Sequence, residues 1–504
     1  MNNGLAFIIG GFLALSFSPI NYYPLAILCP TYLLWRCLVA HTPRQAMCAG
    51  FLFGLGFFGV GVSWVYISIY EFSQTPWLLA IVLTLLFISL FACFHSLHAY
   101  LLHRFLLHPT LPLPLRWLSF PASWVLLEWI RSQFCTGFPW LLIGVSQVAS
   151  PLQGYGPLLG FYGLSFIVTL HSGLLLTALG KKGFASGSIS MQRASPVWRY
   201  AASILLLILW LGAYCFAKIS WTHPSGKPIQ VSLIQGNIPQ QLKWEPHFLQ
   251  ETLDRYYDLT QQHWSSRLII WPESAIPAVP EQVSDFLTQL DRVARAHGAT
   301  VITGIPMAIL PYHYNNIIAL GKDHASYTKR KLVIFGEYMP SWLNWARGLT
   351  GLFDIPLSTF QAGPHQPPDF TVADSLIAPF ICYEIAYPTL VRQALPKAQI
   401  LLTLSNDAWF GDSFAPAQHL QIAQAQAFVT GRYLTFINNT GISAIINPQG
   451  VIEASLPLFK TGSLIGKVTP YQGSTPWVRW GDTPTLLFSL VSVIFCIKQR
   501  TPKK

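Results

Sequence analysis

The sequence predicts a helical membrane bundle interrupted by one α/β domain. The chain has 504 residues, of which 52% are hydrophobic and 10% are charged, whereas soluble proteins carry roughly 25% charged residues. Long apolar runs fill residues 4–217, and another lies near residues 484–497. Between them, residues 225–480 alternate short β-type runs with helical patterns, which is typical of an α/β domain.

Eight apolar runs are candidate membrane spans. Most approach the roughly 20 residues that cross a bilayer, and the first and fifth are shorter. We predict a membrane domain over residues 1–220, with seven spans, and a C-terminal span over residues 484–498. The runs lie near residues 4–20, 23–39, 46–70, 77–101, 117–134, 155–179, 199–217 and 484–497.

Positive charge predicts the orientation of these spans. Lys and Arg cluster in alternate links, and the links near 20–23, 71–76 and 135–154 contain none. Because basic residues mark cytoplasmic loops, both termini are expected in the cytoplasm and residues 225–480 in the periplasm of a bacterium. If the number of spans is wrong by one, residues 225–480 lie in the cytoplasm instead. The net charge of +11 therefore indicates membrane topology rather than nucleic-acid binding.

The α/β region is predicted to contain eight strands. Helical patterns are expected over Glu251–His263 and Glu281–His297. The Pro-rich segment 355–370 is either a mobile arm or a plain surface loop. The predicted strands are Ile229–Ile238, Leu268–Trp271, Thr300–Pro306, Tyr314–Leu320, Leu376–Cys382, Ile400–Ser405, Tyr433–Asn438 and Ile442–Asn447.

Cys382 is the candidate nucleophile. It ends an apolar run and has a carboxylate, Glu384, two residues later, an arrangement that suits a reactive thiol. Of eight cysteines, it is the only one between Phe216 and Phe495, and no C-x-x-C pair occurs. A thiol-based metal or redox site is therefore not expected. The alternative is a buried structural cysteine.

Two other stretches carry charge beside an apolar run. Glu273 follows the predicted strand near residue 270, and Lys329 precedes a strand-like run that ends at Glu337. Each alone is equally a solvated charge at a strand end. With Cys382 they supply a proton acceptor, a cation for an oxyanion and a nucleophile, which is what acyl transfer through a thiol requires.

The three stretches resemble the Glu-Lys-Cys triad of the nitrilase superfamily. The whole chain resembles the membrane-embedded branch of that superfamily, the apolipoprotein N-acyltransferases of Gram-negative bacteria. The motifs that carry this resemblance are E-W-I-R-S, T-G-F-P-W, Q-G-N-I-P-Q, W-P-E-S-A-I-P, F-G-E-Y-M-P, C-Y-E, S-N-D-A-W-F-G and N-N-T-G.

The resemblance implies a fold, a reaction and a triad. The fold is an α/β four-layer αββα nitrilase-like sandwich inserted in an eight-helix transmembrane bundle. The triad is Glu273 as general base, Lys329 as oxyanion stabiliser and Cys382 as nucleophile. The reaction moves an acyl chain from a phospholipid to the N-terminal diacylglyceryl-cysteine amine of an apolipoprotein through a thioester. No cofactor or metal is implied, and a monomer in the bacterial inner membrane is expected.

Supporting residues follow from the same resemblance. Glu337 is a second acidic residue, Tyr383 and Glu384 shape the pocket beside the nucleophile, and Trp244 lies by the substrate entrance. The chain also departs from the family pattern, because Ile334 replaces a usual Pro. Gln426 and Val429 replace charged residues that usually tie a helix to the site. We expect these departures to alter the pocket wall rather than the triad.

Three further questions stay open at this stage. Glu128, Trp129 and Arg131, with residues 136–140, are either functional groups at membrane depth or interfacial anchors. The rival enzyme is a membrane-tethered nitrilase-type amidase with water as acceptor. The rivals of other classes are a transporter with a soluble appendage, for which no internal repeat is found, and an inactive scaffold, which the intact triad disfavours.

Overall fold

The computed structural model describes residues 4–72, 75–108, 111–180, 195–334, 336–338, 360–364 and 369–500. The chain divides into two compact units. We name the units after the roles that the sequence predicts for them: the membrane unit comprises Met1–Tyr66, Leu78–Ser220 and Arg479–Lys504, and the catalytic unit comprises Ile67–Trp77 and Trp221–Val478. Most of the segment 355–370 lies outside the described residues, as do the basic residues Lys181, Lys182, Arg193, Lys503 and Lys504.

Every apolar run predicted as a span contains a helix. The run 46–70 contains two, because the chain bends by 54° between Pro43–Gly61 and Val65–Phe72. The helices are Gly4–Ala14, Pro24–Val39, Pro43–Gly61, Val65–Phe72, Trp77–Leu101 with the π-turn Leu102–Leu106, Leu113–Gln133, Gly156–Leu179, Pro196–Ala217 and Thr483–Arg500.

Length and composition alone let three of these segments cross a membrane. They are Trp77–Leu106, Pro151–Leu179 and Pro196–Ala217, and the bent pair Pro43–Gly61 and Val65–Phe72 counts as a fourth if it is one span. Three apolar helices are shorter, namely Gly4–Ala14, Pro24–Val39 and Thr483–Gln499. The helical character of the eight runs is thus confirmed, and an eight-helix transmembrane bundle stays a prediction.

Glycines allow a close helix contact in the membrane unit. The helices Gly4–Ala14 and Pro43–Gly61 pack together. A Cβ atom added at Gly10 would overlap the Phe53 carbonyl, and one at Gly56 would overlap the Phe7 carbonyl. Small residues allow backbones to approach in this way where lipid provides no hydrophobic drive between helices.

The catalytic unit contains two six-stranded sheets and a two-stranded ribbon. The first sheet has the order β13-β2-β3-β4-β5-β6, the second has the order β12-β11-β10-β9-β8-β7, and β1 pairs with β14. The strands are β1 Thr222–Pro224, β2 Ile229–Gln235, β3 Leu268–Ile270, β4 Thr300–Ile309, β5 Tyr312–Gly321, β6 Ala325–Thr328, β7 Thr371–Val372, β8 Ser375–Ile381, β9 Ile400–Ser405, β10 Tyr433–Asn438, β11 Ser443–Ile446, β12 Ile452–Leu456, β13 Gly462–Val468 and β14 Tyr471–Gly473.

Strand alternation builds the core of the catalytic unit. In β2 the side chains of Val231 and Leu233 enter a core shared with β9 residues Leu402 and Leu404 of the second sheet. Ile234, on the other face of β2, packs with residues of helices. Successive side chains of a strand point to opposite faces. The alternation along β2 therefore supplies side chains both to the core between the sheets and to the layer that packs with helices.

Helices cover the outer faces of both sheets. Leu249–Thr260 and Ser284–Ala296 lie against the first sheet, and Ala415–Thr430 packs on β10 and β11 of the second. The short helices of this unit are Gln240–Lys243, Pro388–Gln393 and Pro476–Trp480. These layers give the described part of the catalytic unit the expected αββα order.

All eight predicted strands are present, and both helical patterns are confirmed as Leu249–Thr260 and Ser284–Ala296. One prediction is wrong. The run after Lys329 is not a strand, and its described residues form only an isolated bridge between Ile334 and Tyr338. The reason is that carboxylates of Glu384 and Glu337 take up the backbone N–H groups that a neighbouring strand would otherwise bind.

Candidate active site

Cys382 stands at a sharp turn after strand β8. It has a positive φ of 52° and begins the 3₁₀ turn Cys382–Ala386. A non-glycine residue in the left-handed region is strained and persists only where its surroundings hold it. The side chain is buried and packs with the core between the sheets. The turn therefore fixes the thiol at the end of the strand.

Glu384 ties this turn to the segment that carries Lys329. Its Oε1 accepts hydrogen bonds from the backbone N–H groups of Arg330 and Lys331, at 2.6 and 3.0 Å. Its Oε2 accepts from the Ile381 N–H and the Tyr327 hydroxyl, both at 2.7 Å. Burial raises the pKa of this carboxyl, and those hydrogen bonds act in the opposite direction. Glu384 is thus a clamp rather than a reacting group.

Lys329 is a buried ammonium held by two carboxylates. Its Nζ lies 3.2 Å from Glu273 Oε1 and 2.7 Å from Glu337 Oε1. Burial favours the neutral amine, but the charges of Glu273 and Glu337 outweigh it and raise the pKa of Lys329. A permanently charged ammonium in a site with little water suits the stabilisation of an oxyanion.

The electrostatics of the cluster keep the resting thiol protonated. Burial and the negative charge of Glu273 raise the pKa of Cys382, and Lys329 lowers it. Because burial and the charges of Glu273 and Asp407 outweigh the charge of Lys329, the net effect favours the thiol over the thiolate. The side chains of Glu273 and Lys329 are therefore close enough to influence Cys382, and a base must remove its proton during reaction.

Asn315 and Lys243 belong to the site although sequence reasoning assigned them no role. Asn315 Nδ2 donates to Glu273 Oε1 at 2.8 Å and to Glu337 Oε1 at 3.2 Å. Lys243 Nζ donates to the Glu273 backbone carbonyl at 3.0 Å. Burial lowers the pKa of Lys243 to about 8, with Glu273 acting in the opposite direction. The sequence around Asn315, in strand β5, and around Lys243, which precedes Trp244, gives no local signal for such contacts.

A second buried pair lies on the other side of the nucleophile. His419, on the helix Ala415–Thr430, has Nε2 3.2 Å from the Cys382 carbonyl oxygen and Nδ1 3.0 Å from Asp407 Oδ1. Ser405 donates to the same carboxylate oxygen at 2.7 Å. Ser405 and Asp407 belong to the motif S-N-D-A-W-F-G. That motif is part of the family resemblance, but it predicted no role for either residue.

The remaining predicted residues differ in how closely they join the cluster. Tyr383 packs its ring at 5.1 Å, edge on, against Tyr387, and Trp244 is 48% exposed. Gln426 donates to the Ile385 carbonyl at 2.9 Å, and Val429 is fully buried. Gln426 therefore binds the turn Cys382–Ala386 through a neutral hydrogen bond. No group of three or more His, Cys, Asp or Glu side chains in the described ranges could hold a metal ion.

A separate polar cluster lies in the membrane unit. Arg131 Nη1 donates to the carbonyls of Phe138 and Trp140, at 2.9 and 2.6 Å. Glu128 Oε1 accepts from the Ile143 N–H at 2.9 Å. Both side chains are buried, whereas Trp129 is 38% exposed. Glu128 and Arg131 thus hold the irregular chain after the helix Leu113–Gln133, and only Trp129 has the exposure of an interfacial anchor.

Comparisons with known proteins cover both units. Residues 9–174 match the apolipoprotein N-acyltransferase N-terminal domain, and residues 230–475 match the carbon-nitrogen hydrolase family. The second match and the two sheets give the catalytic unit a nitrilase-like fold. An amidase from Nesterenkonia sp. AN1 aligns with 52% of this chain and 97% of its own at 19% identity, with a TM-score of 0.37 that supports no conclusion.

Full-length relatives are more informative. The apolipoprotein N-acyltransferase of Coxiella burnetii is 41% identical over 492 residues, covering 96% of this chain and 98% of the relative. That of Methylococcus capsulatus is 39% identical over 502 residues, covering 97% and 95%. Similarity at this level covers nearly the whole chain, so it includes both the helical part and the nitrilase-like part. The chain belongs to the apolipoprotein N-acyltransferase family.

Proposed function

We propose that this acyltransferase moves an acyl chain from a phospholipid to the N-terminal diacylglyceryl-cysteine amine of an apolipoprotein through a thioester on Cys382. The observation that carries the proposal is the buried Lys329 ammonium, 3.2 Å from Glu273 and 2.7 Å from Glu337, within electrostatic range of the Cys382 thiol. Such a cluster supplies a base, a fixed cation and a nucleophile in one place.

In the first half-reaction, Glu273 accepts the thiol proton as the sulfur of Cys382 attacks the phospholipid ester carbonyl. Lys329 stabilises the oxyanion that forms on that carbonyl. The oxyanion collapses, the C–O bond of the ester breaks, and the leaving alkoxide takes the proton from Glu273. Lyso-phospholipid departs, and the acyl chain stays on the sulfur.

In the second half-reaction, the apolipoprotein amine attacks the thioester carbonyl. Glu273 accepts a proton from the amine, and Lys329 stabilises the second oxyanion. The C–S bond breaks, and the proton on Glu273 returns to the sulfur. Glu337 holds Lys329 in place, while Tyr383 and Glu384 shape the pocket and Trp244 lines the entrance.

A thioester suits an acyl group that waits for its acceptor. It reacts readily with amines, and it persists where water is excluded. Cys382 is buried, with a relative exposure of 9%, and Glu273 has 8%. An amidase of the same superfamily uses water in place of the amine, so it requires free access of water to the thioester. Membership of an acyltransferase family favours transfer over hydrolysis and over a transporter.

The thioester is tested by mass spectrometry of the purified protein after exposure to phospholipid alone. We expect one fatty acyl chain on Cys382, released by neutral hydroxylamine, with one equivalent of lyso-phospholipid. Cys382→Ser should fold but turn over poorly, because a serine hydroxyl is far less acidic than a thiol and its ester far less reactive towards amines. Lyso-phospholipid that appears only with acceptor, and never an acyl group on Cys382, would refute the two-step reaction.

The proposed setting is the bacterial inner membrane, with a monomeric enzyme whose catalytic domain faces the periplasm. The proposed domains are a membrane domain over residues 1–220, a catalytic domain over 225–480 and a C-terminal span over 484–498. Basic residues in alternate links support this orientation. Compartment reporters fused near residues 185 and 300 should give opposite signals, and equal signals would contradict the eight-span topology.

A further inference from the structure

The buried pair of His419 and Asp407 touches the nucleophile but has no part in the proposed chemistry. We propose that His419, held by Asp407, is a positioning residue that fixes the Cys382 carbonyl and thereby keeps the thiol in its reactive orientation. This inference rests on the proposed role of Cys382 as nucleophile.

The hydrogen bonds form a closed ring around the nucleophile. His419 Nε2 lies 3.2 Å from the Cys382 carbonyl oxygen, and Nδ1 lies 3.0 Å from Asp407 Oδ1. Ser405 donates to that carboxylate oxygen at 2.7 Å and is also within hydrogen-bond reach of the Cys382 thiol. His419 and Asp407 are each 1% exposed.

The partners of His419 define the direction of its hydrogen bond to Cys382. A backbone carbonyl can only accept, so Nε2 carries the proton of that contact, while Nδ1 faces the Asp407 carboxylate. The Asn438 side chain accepts from the Asp407 N–H at 2.8 Å and so fixes the turn that presents the carboxylate.

The nucleophile's backbone needs such support. Cys382 has a φ of +52°, a conformation that a side-chain-bearing residue keeps only when its neighbours enforce it. Glu384 holds the turn on one side, by accepting from the Ile381 N–H at 2.7 Å. His419 holds it on the other side, by donating to the Cys382 carbonyl. Without the second clamp the peptide can rotate and move the sulfur.

The decisive experiment measures thioester formation from phospholipid in a single turnover. We expect His419→Leu to slow this step by about 10²-fold or more, because a displacement near 1 Å costs that much. His419→Gln keeps an N–H donor for the carbonyl, so it should form the thioester about ten-fold faster than His419→Leu. Asp407→Ala should also be slow, because it removes the carboxylate that holds the His419 ring towards the Cys382 carbonyl.

The surface pair of His324 and Asp291 provides a matched control. Its nitrogen and oxygen lie 2.7 Å apart, and His324 is exposed. His324→Gln should leave thioester formation within about two-fold of the parent rate. The KM for phospholipid should change little in the His419 variants, because the defect lies in the reacting group rather than in binding.

Two results would overturn the inference. The first is a folded His419→Leu protein that forms the thioester within about two-fold of the parent rate. The second, which needs no variant, is a ¹⁵N spectrum of the full chain in which Nε2 of His419 carries no proton, since it could not then donate to the Cys382 carbonyl. If Cys382→Ala retained turnover, the proposed function itself would fail, and that result is separate from any effect at His419.

Discussion

The membrane unit and the catalytic unit both bury charged side chains, but they use them differently. Arg131 of the membrane unit donates to main-chain carbonyls of Phe138 and Trp140. Lys329 of the catalytic unit donates to the carboxylates of Glu273 and Glu337. A buried charge that binds backbone determines the path of a loop. Buried charges that bind one another beside a thiol can exchange a proton with it.

The charges of the catalytic cluster predict in which direction each substitution shifts the pKa of Cys382. The catalytic cluster holds two carboxylates against one ammonium, and Glu273 raises the pKa of Cys382 while Lys329 lowers it. Substitutions in this cluster should therefore change the reaction rate of the protein that remains folded. Substitutions of Arg131 should do the reverse. The following predictions test that contrast, beginning with the largest effect.

The triad substitutions should have the largest effect on rate. Glu273→Gln keeps the shape but removes the base, so kcat/KM for acyl transfer should fall by about 10²- to 10⁴-fold. Lys329→Met removes the oxyanion cation and should cost about 10²-fold or more. Glu281→Gln and Lys397→Met, at exposed positions, are the matched controls. Normal turnover in either triad variant would mean that the cluster is not catalytic.

Arg131→Met should act on stability instead. The Phe138 and Trp140 carbonyls lose a charged donor, so the free energy of unfolding in detergent should fall by about 1.5–3 kcal/mol. Thermal or denaturant unfolding measures it, and Arg44→Met, at an exposed site, should be near neutral. A variant of Arg131 that stays fully stable but loses thioester formation would break the contrast between the two clusters.

The pH dependence of Cys382 alkylation by iodoacetamide should sharpen the contrast. Glu273 raises the pKa of the thiol, so Glu273→Gln should shift the profile to lower pH; Lys329 lowers it, so Lys329→Met should shift the profile to higher pH. Peptide mass spectrometry measures labelling at Cys382, and exposed Cys48 serves as the internal reference. Shifts of the same sign in both variants would contradict the charge balance.

Lys243 should give the smallest loss of rate. Its single contact to the Glu273 carbonyl suggests that Lys243→Met lowers kcat/KM by no more than about ten-fold. Burial lowers its pKa to about 8, below the roughly 10.4 of an unfolded lysine. Between these values the unfolded chain binds more protons, so stability rises with pH. Lys243→Met should abolish that rise. A variant that unfolds with the same pH profile as the parent would contradict the assignment of the rise to Lys243.

The strands that carry the site could be predicted because each has a local signal. Leu376–Cys382 and Leu268–Trp271 are short apolar runs followed by polar residues, and strands β8 and β3 occupy them. Edge strands such as β7, β12 and β13 were not predicted. They are short or alternate partly exposed residues, and no apolar run distinguishes them from loops.

The support around the triad had no comparable signal. Asn315 lies in a strand whose sequence carries no sign of a site. His419 lies on a helix, 37 residues after Cys382. Their contacts depend on which elements become neighbours in the two sheets. The strand-like run after Lys329 was predicted wrongly for a related reason, since the side chains of Glu337 and Glu384 bind its N–H groups from a distance in sequence.

The sequence by itself determined the division into helical and α/β parts and eight of the strand positions, and it proposed Glu273, Lys329 and Cys382 as the triad, because hydrophobic period and residue chemistry are local properties. Only the tertiary structure decided the positive φ of Cys382, the bend of 54° after Gly61 and the two clamps on the nucleophile's turn. The contacts of Glu384 with Arg330 and of His419 with Cys382 join groups far apart in the chain, which meet only after the sheets have packed and burial has excluded water.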